Sequence, residues 1–166
     1  MSAPITQAEA EALLHREALY LDDRRWDDWL GLFTEDAVYW VPAWRSEDET
    51  TEDPDRELSL IYYRGRDYLR ERAWRISSGL SIASKPLPRT VHLLSGILLD
   101  GADEASATVR SNFAVHSFNS KRQSSTVFFG RYEHGLKREG EAWRIASKKI
   151  TLLNDYIQAV VDIYSI

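Results

Sequence analysis

The chain has 166 residues, 43% hydrophobic and 28% charged, with a formal charge of −5, a composition that suits one globular domain over residues 1–166 with a single core. Its cations are interspersed with carboxylates rather than gathered, which leaves no basic patch for phosphate backbones and argues against a nucleic-acid partner. It contains no cysteine, excluding disulfides, thiolate nucleophiles and any iron–sulfur cluster whose cysteine ligands this chain alone would supply.

Apolar runs fall short of the roughly 20 residues that cross a bilayer, and Met1 to Ala10 lack the basic-then-apolar pattern of a signal peptide. A soluble, cytoplasmic protein with no membrane partner is the expectation. Aromatic residues make up 11% of the chain and include six tryptophans, bulky side chains whose default place is the core.

Thr6 followed by Glu9 has the spacing of a capping box, and Leu14, Ala18 and Leu21 share a helical face, predicting a first helix over residues 6–21. Asp22 and Asp23 are candidate caps for a second helix with Trp26, Trp29, Leu30 and Phe33 as its apolar stripe. Ala37 to Val41 turn to β-branched and aromatic residues and stop at Pro42, predicting a short strand. Residues 45–57 are almost wholly polar, an exposed excursion. A third helix is predicted over residues 66–77, where Leu69, Ala73 and Ile76 align.

Four long strands are predicted beyond Pro88, over residues 90–99, 106–118, 125–137 and 143–153, forming an antiparallel meander. Asp100-Gly101 and Glu139-Gly140-Glu141 supply turn chemistry at the first and last connections. Helices followed by an antiparallel sheet define an α+β domain, in which a curved sheet wrapping helices would enclose a cone.

The four histidines, His15, His92, His116 and His134, are not paired at any metal-binding spacing, and GxSxG, GxGxxG and GxxxxGK patterns are missing. Each histidine reads as a hydrogen-bonded or interface residue, with His15 on a polar helix face. A general acid–base pocket built from Asp36, Tyr39, Tyr132 and His116 is an open alternative, since an apolar cone can tune such groups. Strand alternation puts Arg110, Asn112 and His116 on one face and Tyr132 and His134 with Thr126 and Phe128 on another, faces that could instead be subunit contacts. Lys148 and Lys149 point to opposite faces, so one must meet solvent or a carboxylate.

Asp22-Asp23 with Trp26, the run Tyr39-Trp40-Val41-Pro42-Ala43-Trp44, Glu52-Asp53-Pro54 and Glu57-Leu58-Ser59-Leu60-Ile61-Tyr62-Tyr63 resemble the small (beta) subunits of aromatic-ring-hydroxylating dioxygenases. The resemblance continues through Pro88-Arg89-Thr90, Phe129-Gly130-Arg131-Tyr132, Lys148-Lys149-Ile150, Asn154-Asp155-Tyr156 and Asp162-Ile163-Tyr164, and is nearest to the benzoate and anthranilate type. It implies an NTF2-like cone that carries no catalytic, cofactor-binding or metal-ligating residue of its own. The implied partner is a large (alpha) subunit holding the Rieske [2Fe-2S] cluster and mononuclear non-haem Fe(II), in an α3β3 hexamer with the small subunits forming a trimer and a reductase/ferredoxin system supplying electrons from NADH. A free-standing NTF2-like dehydratase or isomerase, and a small-ligand binding protein of the same fold, are the rival readings.

Overall fold

A computed structural model describes residues 2–81, 85–155 and 161–166. The elements run α1 (Gln7–Asp22), α2 (Trp26–Leu30), β1 (Phe33–Pro42), β2 (Ser59–Arg64), α3 (Arg66–Ser77), β3 (Arg89–Ala102), β4 (Ser106–Asn119), β5 (Ser124–Glu139) and β6 (Ala142–Leu152). The strands form one six-stranded sheet in the order β2-β1-β6-β5-β4-β3. The predicted meander supplies four of its six strands, β6-β5-β4-β3, and the helices close the concave side as the α+β reading requires.

The capping box forms as predicted: Thr6 accepts from the Glu9 N–H while the Glu9 side chain accepts from the Thr6 backbone N–H. Leu14, Ala18 and Leu21 are buried, and so is Glu17, which lies on the same stripe. The Asp22–Asp23 pair does not cap a second helix. The first helix runs on through Asp22, Asp23 is its C-cap, and α2 starts after Arg25 with no side-chain cap. Helix α2 also ends at Leu30, so Phe33 opens β1 instead of extending the helical stripe. Propensity alone did not show that the chain turns into a strand there, because Trp29 and Phe33 bury equally well from either conformation.

The first strand spans ten residues, longer than predicted, because it is held from both sides. It pairs antiparallel with β2 and parallel with β6, so Tyr39 faces Tyr63 on one side and Lys148 on the other. Strand β2 went unassigned in the sequence, where the half-buried pattern of Ser59 to Arg64 lacks clear alternation. Asp100-Gly101 is not a turn: β3 continues to Ala102 across an irregularity at Leu99 and Gly101, and Asp103 caps the connection by accepting from the Ala105 and Ser106 N–H groups. At the other end Gly140, with φ +63°, makes the tight turn that joins β5 to β6.

The core lies between the concave sheet face and α1 and α3, with Leu14, Leu21, Phe33, Leu69, Ile145 and Ile150 fully enclosed. Of the tryptophans only Trp29 is fully buried, while Trp74 is exposed on α3, so core is not the general place of these side chains. The last described residues seal the core: Ile163, Tyr164 and Ile166 are buried, and Arg72 of α3 grips both carboxylate oxygens of Asp162. In the Asn154-Asp155-Tyr156 motif, Asn154 donates to the Val127 carbonyl and accepts from the Phe129 N–H, tying the end of β6 to β5; Tyr156 lies outside the described residues.

Candidate functional site

Two faces of the sheet carry the residues that could act. Inside the cone, one cross-strand row runs Tyr39 on β1, Lys148 on β6, His134 on β5 and Val109 on β4. Glu17 descends on this row from α1, accepting from Lys148 Nζ at 2.6 Å and lying 2.9 Å from His134 Nε2. The carboxylate, ammonium and imidazole are all enclosed, with side-chain exposures of 4%, 1% and 0%. The ammonium also stands over the Tyr132 ring at 4.3 Å and the Tyr39 ring at 5.7 Å, each ring face adding to the stabilisation of the buried cation.

Burial would raise the Glu17 carboxyl, but Lys148 and His134 together reverse the effect and hold it well below the usual carboxylate range. Burial dominates at His134 and pushes its pKa down, so the imidazole is neutral and the contact with Glu17 is a hydrogen bond from Nε2–H rather than a second ion pair. Burial, then the nearby Glu17 charge, raises both Tyr39 and Tyr132 well above their ordinary value, leaving neutral hydroxyls. Both hydroxyls and His134 Nδ1 are enclosed without a hydrogen-bond partner among the described residues.

A second interior pair sits nearer the edge strand. Asp22 of α1 accepts from the Thr90 hydroxyl at 2.9 Å and from the His92 N–H at 2.9 Å, and its Oδ1 lies 2.6 Å from His92 Nδ1. Burial pushes the Asp22 carboxyl up, but hydrogen bonds and charge from His92, with Thr90, outweigh it and lower the pKa.

The acid–base set suggested by the sequence is therefore divided. Tyr39 and Tyr132 face inward, whereas Asp36 and His116 are exposed and cannot share a pocket with them. Tyr132 and His134, read as a possible contact face, are instead core residues, because their strand face is the one the helices cover. The residues that the sequence reading missed are Glu17 and the Asp22–His92 pair. Glu17 carries a signal in retrospect: it stands among Leu14, Ala18 and Leu21 on the buried stripe, where a carboxylate needs an interior partner.

The outer face is different in character. Leu93, Ala114, Phe129 and Leu153 lie side by side on β3, β4, β5 and the end of β6, and Val91, His116 and Val127 form the adjoining row. Leu93 is 52% exposed, Val91 54% and Phe129 44%. These residues make a contiguous apolar strip on open sheet. Farther along the same face, Arg110, Asn112, Arg131, Glu133, Lys149 and Thr151 rim a hollow of about 340 Å3. Lys149 stands 4.9 Å over the Trp40 ring, so the lysine pair divides between interior carboxylate and outer face as alternation requires.

Neither face fits the redox groups implied by the resemblance. A Rieske cluster takes two cysteines and two histidines, and the chain has no cysteine. A mononuclear iron site takes two histidines and a carboxylate, yet among the described residues no three His, Asp or Glu side chains converge. His92 and His134 are each engaged by a different carboxylate, and His116 is on the opposite face.

Helices set against the concave side of a curved six-stranded sheet, with a polar cluster at its centre, define an NTF2-like α+β protein. Within that class the chain belongs to the ring hydroxylating beta subunit family, whose model matches residues 16–159. It is 41% identical to benzoate 1,2-dioxygenase subunit beta from Acinetobacter baylyi, over 98% of this chain and 95% of that protein. Toluate 1,2-dioxygenase subunit beta from Pseudomonas putida is 39% identical over 92% of this chain and 93% of its own length. Among solved structures, the beta subunit of the Burkholderia mallei benzoate 1,2-dioxygenase superposes with a TM-score of 0.80 at 36% identity, covering 98% of both chains. Like these relatives, the chain is a component of a dioxygenase.

Proposed function

We propose that this chain, a single domain over residues 1–166, is the structural small subunit of the oxygenase component of a ring-hydroxylating dioxygenase acting on an aromatic carboxylate in the cytoplasm. The substrate class follows from the relatives named for benzoate and toluate, which match over nearly their whole length. The large subunit supplies the Rieske cluster and the mononuclear iron, and this chain supplies no residue to the oxygenation. The complete enzyme is an α3β3 hexamer with the small subunits in contact as a trimer, and it uses dioxygen with NADH electrons, delivered by a reductase or ferredoxin, to make a cis-diol.

The observation that carries the structural role is the apolar strip of Leu93, Phe129 and Leu153, too exposed for a chain that works alone. The polar hollow beside it gives such an interface its rim. In this reading the outer sheet face is where other subunits seat.

The test is to purify the chain alone and together with its large subunit, and to measure bound iron, assembly mass and turnover of a panel of aromatic acids. The expected result is an iron-free small subunit with no oxygenase activity, and a hexamer that turns over benzoate-like acids. Iron-dependent oxygenation by the chain alone, or failure to bind the large subunit, overturns the proposal.

A further inference from the structure

The hollow on the outer face is lined by Arg110, Arg131 and Lys149 against the single carboxylate of Glu133, on a chain whose formal charge is −5. Arg110 is already committed, with Nε 3.0 Å from Asp100 Oδ2 and 3.8 Å from Glu133 Oε2. Arg131 and Lys149 are not: among the described residues neither meets a carboxylate, and Lys149 rests on the Trp40 ring instead. Arg131 pairs with Thr151 and Glu133 with Lys149, so the two uncommitted cations are diagonal neighbours on adjacent strands. Asn112, beside Arg131 on β4, and Thr151 add hydrogen-bonding groups that a carboxylate can use.

The matching charge is in the polar excursion between β1 and β2. Most of its carboxylates are spent internally: Arg45 pairs with Glu49 and Glu57, Arg56 with Asp53, and Arg64 with Asp55. Glu47 and Asp48, at its tip, are exposed and pair with no cation among the described residues. The tip is held in shape, because the Ser46 hydroxyl accepts from the Asp48 and Glu49 N–H groups and the Arg45 N–H donates to the Glu49 carbonyl at 2.9 Å. At its base the Trp44 indole N–H donates to the Leu152 carbonyl. A segment ordered before contact gives up little entropy on binding. The tip stands at the end of β6, where Glu47 and Leu153 line one depression. The apolar strip begins at Leu153, and the hollow begins beyond it at Thr151 and Arg131. Tip and hollow do not meet within one chain, so both charges remain for a second copy.

We propose that the Glu47–Asp48 tip of one copy seats in the Arg131–Lys149 hollow of the next, clasping the small subunits to one another beside the apolar strip. The inference rests on the reading of the small subunits as a trimer and names the contact within it. A tip on one copy and a hollow on the next make a head-to-tail contact, which repeats around a ring until it closes. Apolar burial is non-directional, whereas opposite charges at its margin fix the register and turn away a misplaced partner. The clasp supplies the orientation that the strip by itself lacks.

The test uses the full-length chain, alone and co-expressed with its large subunit, with assembly mass read by sedimentation. Arg131→Glu with Lys149→Glu, and separately Glu47→Lys with Asp48→Lys, are each expected to raise the dissociation constant between small subunits about 100-fold or more, because like charges then face each other. Every copy carries both halves of the contact, so the four reversals in one chain restore complementarity. Association is then expected to return to within about tenfold of the native chain, a rescue that a folding defect does not imitate. Should the Lys149 variant fail to fold, carbodiimide coupling of an assembly built from isotope-labelled and unlabelled native chains decides: a link between Lys149 of one chain and Glu47 or Asp48 of another supports the clasp. Assembly indifferent to either pair of reversals, or no rescue by the four together, overturns the clasp and leaves the trimer standing. Reversals at the hollow that spare the contact between small subunits but release the large subunit assign the hollow to that subunit and overturn the clasp as well. A chain that stays monomeric in both preparations overturns the trimer reading along with it.

Discussion

Glu17 is charged inside the cone because Lys148 and His134 are placed to make it so, and the arrangement has little slack. Removing the carboxylate strands an ammonium whose side chain is 1% exposed, so Glu17→Ala is expected to cost about 3–5 kcal/mol in chemical denaturation. Replacing both charges with apolar residues, Glu17→Leu with Lys148→Met, is expected to recover most of that loss, and the double-mutant cycle measures the coupling. The pH dependence has a definite sign. The Glu17 pKa is lower folded than its ordinary 4.5 and that of His134 lower than its ordinary 6.5. In each case the unfolded chain binds the proton more readily, so stability is complete above the ordinary value and lost as pH falls below it. Thermal melts should weaken first below about pH 6.5 from His134 and again below about 4.5 from Glu17. His134→Gln should remove the upper step and leave the lower.

At the level of elements, local chemistry and close approach contribute separately. The α1 capping box satisfies two backbone donors of the first turn, and Thr6→Ala is expected to lower stability by about 1 kcal/mol in urea unfolding. Gly130 has a different reason to be glycine. A Cβ there would stand 1.9 Å from the Thr151 carbonyl oxygen and 3.1 Å from the Phe113 ring, and the first of these is rigid backbone in the neighbouring strand. Gly130→Ala is expected to cost about 1–3 kcal/mol through forced displacement of β6, visible as a lower urea midpoint with loss of the hydrogen bond from the Leu153 N–H to the Phe129 carbonyl. Arg72 and Asp162 play the corresponding part for the chain end, fastening it to α3.

At the scale of the whole molecule, the outer sheet face presents an open apolar surface that the helices do not cover. Leu93 and Phe129 are 52% and 44% exposed, so charging them should leave the isolated fold nearly unchanged, since surface changes fall within about 0.5 kcal/mol. If other subunits seat on that face, Leu93→Lys with Phe129→Lys must weaken assembly by burying unpaired charge. Melting of the isolated chain together with the mass of the co-expressed complex checks both halves: an unchanged melt with a lost complex is expected, and an intact hexamer counts against this surface.

Much of this protein is determined by the sequence taken alone, and for a physical reason: helix caps, strand alternation and turn residues act over a few neighbours. Thr6 and Glu9 start α1, Leu69, Ala73 and Ile76 mark α3 within its observed bounds, and the four long strands run close to where alternation places them. The family was also legible, in motifs spread along nearly the whole chain. What only the tertiary structure decided is which charges meet. Glu17 and Lys148 are 131 residues apart, and Asp22 and His92 are 70 apart, separations at which no local rule operates. Asp22 in sequence is a good helix cap; the fold instead carries α1 across it and gives its carboxylate to His92. Strand β2 is likewise a product of its place beside β1, not of its own pattern. Burial then divided residues that sequence alternation could group but not orient, sending Tyr39, Tyr132, His134 and Lys148 inward and His116, Arg131 and Lys149 to the outer face, because the helices can cover only one side of the sheet.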